Sequence, residues 1–339
     1  MKIIIDQAIP FIKDRFPESV EVEYIPGEII SKEKVLDADA LIVRTRTKCN
    51  EALLRDSKVK LVATATIGTD HIDIPWCESH GIKVTSAPGC NAPGVAQYVL
   101  ASLFSIGFDP RINSLGIIGF GHVGQIVGEW AKQIGINLLV CDPPRKDAGY
   151  KDAEYLDLEE VLKHSDAVTL HVPLTKEGKH PTHHIIGDNE LEIMKSGAIL
   201  INSSRGGVVD EKSLKKSLKE GHIKAIIDTW ENEPAIDPEL LSLVEIGTPH
   251  IAGYSLQGKL RGTRMVLESV EDILSLPVNL TGLNCEPDSK LKITKDLLIN
   301  SYNPLSDYKN LISDVTSFEV LRNNYDYRPE PLFSESLNL

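Results

Sequence analysis

From its first residues the chain alternates short β-branched runs with amphipathic stretches. Lys2-Asp6, Val20-Tyr24, Ala40-Arg44, Lys60-Ala65 and Lys83-Ser86 read as strands, while Ile9-Phe16, Asn50-Asp56 and Ile74-His80 carry apolar residues at helical spacing. Strand and helix in turn predict a parallel sheet, because parallel neighbours need a crossover connection that a helix supplies. A break containing Pro88, Gly89, Pro93 and Gly94 then precedes a helical run from Val95 to about Ile106, and the first boundary is placed there. Beyond it the alternation restarts. Strands are expected at Leu115-Ile118, Ile136-Cys141, Ala167-His171, Ala198-Asn202 and Lys224-Asp228, with the clearest helices at Val123-Ile134 and Glu211-Glu220. A helix from about Leu256 to Leu274 and a turn-rich linker over 277–288 follow. The tail holds Asp307-Asp314 and Ser317-Asn324 at helical spacing, but some 50 residues make a marginal core alone, so it is expected to pack on its own subunit or on a partner's.

The chemistry begins at Gly119-Phe-Gly121-His-Val-Gly124, which sits directly after one expected strand and before a helix. Gly119 suits a tight turn, Gly121 lets backbone approach a pyrophosphate, and Gly124 lets helix and strand pack closely. The helix start offers unpaired N–H groups to phosphates. The next strand ends in Asp142, eighteen residues after Gly124, where a carboxylate can accept bonds from the adenosine ribose hydroxyls and repel a 2′-phosphate. NAD is therefore expected rather than NADP, although Arg145 and Lys146 follow closely. Because the glycines begin near residue 115, the first unit is expected to form the substrate half of a cleft, with hydride transfer between the domains.

Composition narrows the partners. With 36 Lys and Arg against 49 Asp and Glu the net charge is −13, which repels a polyanion and argues against nucleic acid. Hydrophobic content of 42% with 25% charged residues is ordinary for a soluble domain, and no apolar run approaches the ~18 residues of a membrane span. The opening MKIIIDQAIP is too short in apolar length for a secretion signal, so a cytoplasmic protein is expected. Cys49, Cys77, Cys90, Cys141 and Cys285 are odd in number and scattered, as reduced thiols are. His180, His183 and His184 invite a metal hypothesis, but no Cys or carboxylate lies among them, and a solvated loop without metal is expected.

The expected strands of the second unit end in polar residues: Ser203-Ser204-Arg205-Gly-Gly, Asp228-Thr-Trp-Glu-Asn-Glu233-Pro and Thr248-Pro-His250-Ile-Ala-Gly253-Tyr254. Ligands of doubly wound folds bind at such ends. Oxidation of a 2-hydroxy acid needs a base, a cation for the carboxylate and a nicotinamide, and His, Arg and an orienting Glu meet the first two needs. The order GFGHVG, INSSRGGVVDE, DTWENEP, PHIAGY resembles the D-2-hydroxyacid dehydrogenase family over residues 1 to about 275. That resemblance implies that Arg205 binds the substrate carboxylate, that His250 takes the hydroxyl proton and that Glu233 orients the imidazole. Taken alone, Glu233 before a proline reads as a solvated loop residue; for Arg205 a surface ion pair is the alternative. The resemblance further implies that Asp228 bonds the nicotinamide amide, and that His122, Val123, Val172, Ser203, Ser204 and Gly253 join the glycines and Asp142 around NAD. Thr45 and Thr66 match substrate-contact positions, and Tyr254 closes the pocket.

Arg44, Arg46 and Lys48 alternate at the end of the Ala40-Arg44 strand and at period two project to one side, which makes either a basic spot or a charged sheet edge. Together with Asp6-Phe11, Val43-Lys48, Ala63-His71 and His250-Lys259, they narrow the resemblance to a member acting on a small phosphorylated 2-hydroxy acid. Phe318-Tyr325 resembles a C-terminal dimerisation segment, so a homodimer is expected. A member specific for 3-phosphoglycerate and a non-catalytic NAD sensor are the alternatives. The fold class expected is α/β with two doubly wound parallel-sheet domains. A Rossmann unit, 91–254, is inserted in a flavodoxin-like substrate unit made of 1–90 and 255–280, and 281–339 forms a small C-terminal segment.

Overall fold

A computed structural model of the chain describes residues 1–285, 287–288 and 291–333. It divides into two compact units, Met1–Asn91 with Leu256–Pro287, and Ala92–Ser255 with the described residues from Asp288 on.

The first unit is a five-stranded parallel sheet of β1 (Lys2–Asp6), β2 (Glu21–Ile25), β3 (Ala40–Val43), β4 (Leu61–Thr64) and β5 (Lys83–Thr85), in the order β2-β1-β3-β4-β5. That is the flavodoxin-like order, with its direction change between β1 and β3. Both faces are covered, so the central strands β1, β3 and β4 are nearly continuous apolar runs, while the edge strands β2 and β5 carry exposed polar residues. Ile3 and Ile5 of β1 enter one core and Ile4 the other. The helix Leu256–Leu274 returns to this unit and packs Leu260, Val266, Leu267 and Val270 against Ile3, Ile42 and Ala63.

Two local expectations fail here. Residues 9–16 form turns instead of a helix: Phe11 and Asp14 adopt left-handed φ of 61° and 59°, between Pro10 and Pro17, and a helix cannot run through such backbone. Arg44, Arg46 and Lys48 do not share a strand face either. β3 stops at Val43, and the Thr47 amide bonds back to the Arg44 carbonyl at 3.3 Å, so the three cations decorate a turn. Arg44 is half-buried and donates from Nε to the buried Asp6 carboxylate at 2.9 Å, while Thr45, Arg46 and Lys48 are exposed.

The second unit is a six-stranded parallel sheet of β6 (Ser114–Ile118), β7 (Asn137–Cys141), β8 (Ala167–Leu170), β9 (Ile199–Asn202), β10 (Lys224–Ile227) and β11 (Ile246–Gly247), in the order β11-β10-β9-β8-β6-β7. The direction changes at β6, which places a ligand crevice at its carboxyl end. Register does the rest. Cys141, Ile118, Leu170, Asn202, Ile227 and Gly247 lie in one row, so the residues that follow emerge along one edge. Alternate strand residues face opposite cores, as Ile199 and Ile201 do on one side and Leu200 on the other.

The tail is not a separate segment. Ile293, Leu298 and Tyr302 are buried in one core of the second unit and Leu311 and Phe318 in the other, because some 50 residues gain far more apolar burial on an existing sheet than among themselves. Its helix Pro304–Ser313 covers the β11 edge, with the Tyr308 hydroxyl donating to the carbonyls of Leu241 and Val244 at 3.1 Å. The first unit likewise extends past 280, since Leu283 is buried in its core.

Candidate active site

The glycines form as their spacing predicts. Gly119 has φ +90° and lies against His171: a Cβ there would come within 2.6 Å of its carbonyl oxygen. A Cβ on Gly124 would strike the Gly119 carbonyl oxygen at 2.1 Å, so only glycine lets the helix His122–Ile134 sit this close to the turn. Gly121 caps that helix without any side-chain bond, and the space over it is open to 4 Å. The first amides, including those of His122 and Val123, are thus not satisfied by a capping side chain and suit a pyrophosphate. Val172 follows β8 beside the Gly119 turn, its Cγ1 2.8 Å from where a Gly119 Cβ would stand. Ser203 carries a buried hydroxyl oxygen with no partner, an acceptor and donor held ready for a ligand. Asp142 accepts from the Phe120 amide at 2.7 Å and the Arg145 amide at 2.9 Å, which fixes the carboxylate beside the glycine turn. Arg145 is ion-paired with Asp152 at 2.6 Å and Lys146 with Asp157 at 2.9 Å, so neither nearby cation is offered as a 2′-phosphate receptor. These residues fit NAD.

Three strand ends carry the candidate catalytic residues. After β9, the Asn202 side chain holds the turn by accepting from Ser204 and donating to the Arg205 carbonyl at 2.9 Å. Arg205 is half-buried, and its Nη1 donates to the Ser204 carbonyl at 2.8 Å. Gly206 must be glycine: a Cβ would stand 2.0 Å from the Trp230 carbonyl oxygen, because this turn lies directly on the loop after β10. That loop carries Glu233, and β11 leads into His250. Nδ1 of His250 lies 2.7 Å from Glu233 Oε2. A carboxylate only accepts, so the proton is on Nδ1 and Nε2 is left as the basic atom. The other Glu233 oxygen accepts from the Trp230 amide at 3.0 Å. Burial works to raise the Glu233 carboxyl, but the His250 bond and charge, the Trp230 amide and Arg322 outweigh it and hold its pKa below the ordinary value.

Asp228, directly after β10, is tied into the turn that carries His250. Its buried carboxylate accepts from Thr248 Oγ1 at 2.7 Å and from the Ile251 and Ala252 amides at 2.7 and 2.9 Å. It therefore clamps the turn in which His250 adopts a left-handed φ of 58°, backbone that a non-glycine residue keeps only when its surroundings enforce it. Burial pushes the Asp228 pKa up. Tyr98 extends this network by donating to Thr248 Oγ1 at 2.7 Å. Gly253 and Tyr254 complete the same turn, and the Tyr254 hydroxyl accepts from Arg322 Nε at 3.3 Å. Arg322 and Arg328 are the residues that sequence reasoning missed, for their partners lie about 70 or more positions away.

The remaining candidates belong to the first unit or to the histidine loop. Thr66 shares a 2.8 Å contact with Thr64 and donates to the Gly68 carbonyl at 3.2 Å. His180 is bonded to Asp147 and His184 to Glu231, with His183 stacked on His184 at 3.9 Å. Folding does bring carboxylates to that loop, since possible ligand atoms of His184, Asp210 and Glu231 lie within 4.8 Å of one another. Among the described residues no helix is long and apolar enough to cross a membrane.

Residues 102–252 match the family described as D-isomer specific 2-hydroxyacid dehydrogenase, NAD binding domain. The chain belongs to the D-2-hydroxyacid dehydrogenase family, with NAD as cofactor. It is 42% identical over 339 residues to an erythronate-4-phosphate dehydrogenase of Bacteroides fragilis, covering 97% of both chains. It is 44% identical over 274 residues to that of Escherichia coli, covering 79% of this chain and 72% of the relative. A D-lactate dehydrogenase of Aquifex aeolicus, solved with NAD and lactic acid, is similar in structure with a TM-score of 0.67 and 27% identity, over 81% of this chain and 96% of the other.

Proposed function

We propose that this chain oxidises 4-phospho-D-erythronate at C2 to (R)-3-hydroxy-2-oxo-4-phosphooxybutanoate, a step that feeds pyridoxal phosphate synthesis, as a cytoplasmic homodimer. The observation that carries the reading is the Glu233–His250 pair, which leaves Nε2 basic in a chain so similar to erythronate-4-phosphate dehydrogenases. Arg205 binds the substrate carboxylate and polarises the C2 oxygen, a planar task suited to guanidinium. His250 Nε2 takes the C2 hydroxyl proton, and the Glu233 carboxylate stabilises the imidazolium that forms. Gly119, Gly121, Gly124, Asp142 and Ser203 would hold NAD, whose nicotinamide would supply the hydride acceptor for C2. Asp228 and Thr248 keep His250 in place throughout. For the substrate's phosphate and hydroxyls the candidates on the first unit are Arg44, Arg46, Lys48, Thr45 and Thr66, and on the second Tyr254.

NADH absorbance followed with a panel of phosphorylated and plain 2-hydroxy acids tests the substrate. The fastest turnover is expected with 4-phosphoerythronate; faster turnover of 3-phosphoglycerate would replace it, and no turnover with any acid would favour an NAD sensor. His250→Ala is expected to lower kcat by at least ~10²-fold with NAD binding intact. Unchanged turnover in that variant would remove His250 from the mechanism.

A further inference from the structure

The tail brings a charged group to the Glu233–His250 pair. Its short helix Phe318–Asn323 is anchored at one end by Phe318, fully buried in the core of the second unit. Beyond the other end Arg328, itself buried, donates to the carbonyls of Gly94 and Ile251 at 3.0 Å, to those of Ala252 and Tyr254, and to Gln97 Oε1 at 3.0 Å. Its guanidinium also lies over the Tyr302 ring at 4.3 Å. From the segment so fixed, Arg322 Nη1 reaches to 3.7 Å from Glu233 Oε2, the oxygen that accepts from His250 Nδ1, and Nε donates to the Tyr254 hydroxyl. Arg322 and Glu233 are both more than four-fifths buried.

We propose that Arg322 is a positioning residue of the catalytic centre: with Nη1 3.7 Å from Glu233 Oε2 and Nε on the Tyr254 hydroxyl, it holds the Glu233 carboxylate in the orientation that meets His250. The proposal rests on the reading of His250 as proton acceptor. Charged groups that bear on the pair include Arg322, the Asp228 carboxylate beside His250, and Glu211 beside Glu233. A cation next to such a pair opposes proton uptake by the pair as a whole, so removing it lets the pair protonate at higher pH. Oxidation of the hydroxy acid requires the unprotonated imidazole, and the acidic limb of the activity profile must then move upward.

The test compares Arg322→Gln and Arg322→Met with Arg322→Lys in the full-length protein. For the neutral variants the acidic limb of kcat/KM is expected to shift up by about half a pH unit or more, with kcat/KM at pH 7 down by about threefold to tenfold. NAD affinity and thermal midpoint should stay near the parent values, and Arg322→Lys should return the limb to its original position. A folded neutral variant with an unshifted limb overturns the proposal. Loss of fold in both neutral variants overturns it too, by making Arg322 a structural residue. His250→Ala separates this from the reading beneath it. If that variant loses turnover while Arg322→Gln keeps the parent limb, only the Arg322 proposal falls; if His250→Ala keeps full turnover, the role of His250 falls first.

Discussion

At the scale of single residues, Arg205 shows how a glycine can set a functional side chain. The backbone after Arg205 is pressed against the Trp230 carbonyl so closely that Gly206 has no room for a Cβ, and this contact fixes where the Arg205 side chain begins. A lysine at 205 would keep the charge but present one donor centre where guanidinium presents a planar fork. Arg205→Lys is therefore expected to lower kcat/KM at least about tenfold, chiefly through KM, while NAD still binds. Steady-state kinetics with 4-phosphoerythronate and an NAD titration check it, and an unchanged kcat/KM would exclude a bidentate carboxylate contact.

At the scale of elements, most strands and the glycine turn were legible because each is a local pattern: short apolar runs, and glycines where backbone must pass closely, whereas the two-residue β11 is too short to show one. The helix at Leu256–Leu274 was equally plain. What escaped was set by contacts distant in sequence. Arg44 left its expected strand face to pair with Asp6 across 38 positions, and Arg322 reaches Glu233 from the far end of the chain. The start of the helix Glu211–Lys219 gives another case. Burial there raises the Glu211 carboxyl to about 7, the bond from the Glu231 amide opposes it, and the charges of Glu231, Asp237 and Glu233 add to the rise. A carboxyl with a raised folded-state pKa keeps its proton in the folded state after the unfolded chain has lost it. Its stabilising contribution is complete below about 4.5 and disappears as pH rises through about 7. Glu211→Gln retains an oxygen for the Glu231 amide and carries no charge. It should raise the thermal midpoint by about 2 °C or more at pH 8, equivalent to about 1 kcal/mol once solvent screening is allowed for, and leave it unchanged at pH 4. Equal midpoints of variant and parent at both pH values would place Glu211 in ordinary solvent.

For the whole molecule, the tail is built into the second unit and reaches the Glu233–His250 pair. Its buried side chains complete both cores of the second unit, while Arg322 and Arg328 reach Glu233 and the turn after His250. The same segment leaves apolar side chains outside: on the helix Pro304–Ser313, Leu305 is 42% and Ile312 44% exposed. They are seven residues apart, two turns, and so share one face of the helix, beside the face of Pro304, Tyr308 and Leu311 that packs on the second unit. Paired apolar positions on a face that the chain itself does not cover are what a second copy would bury in a homodimer, and they give the sequence resemblance of the tail a physical basis. A net charge of −13 acts against self-association at long range, so an apolar contact has to outweigh it and dimerisation should tighten with salt. Analytical ultracentrifugation should find a dimer at micromolar concentration, stronger at 0.5 M than at 0.05 M salt. The double variant Leu305→Glu with Ile312→Glu should sediment as a folded monomer that still binds NAD. A parent chain that is monomeric at both salt concentrations, or a double variant that remains dimeric, would remove this face from the assembly.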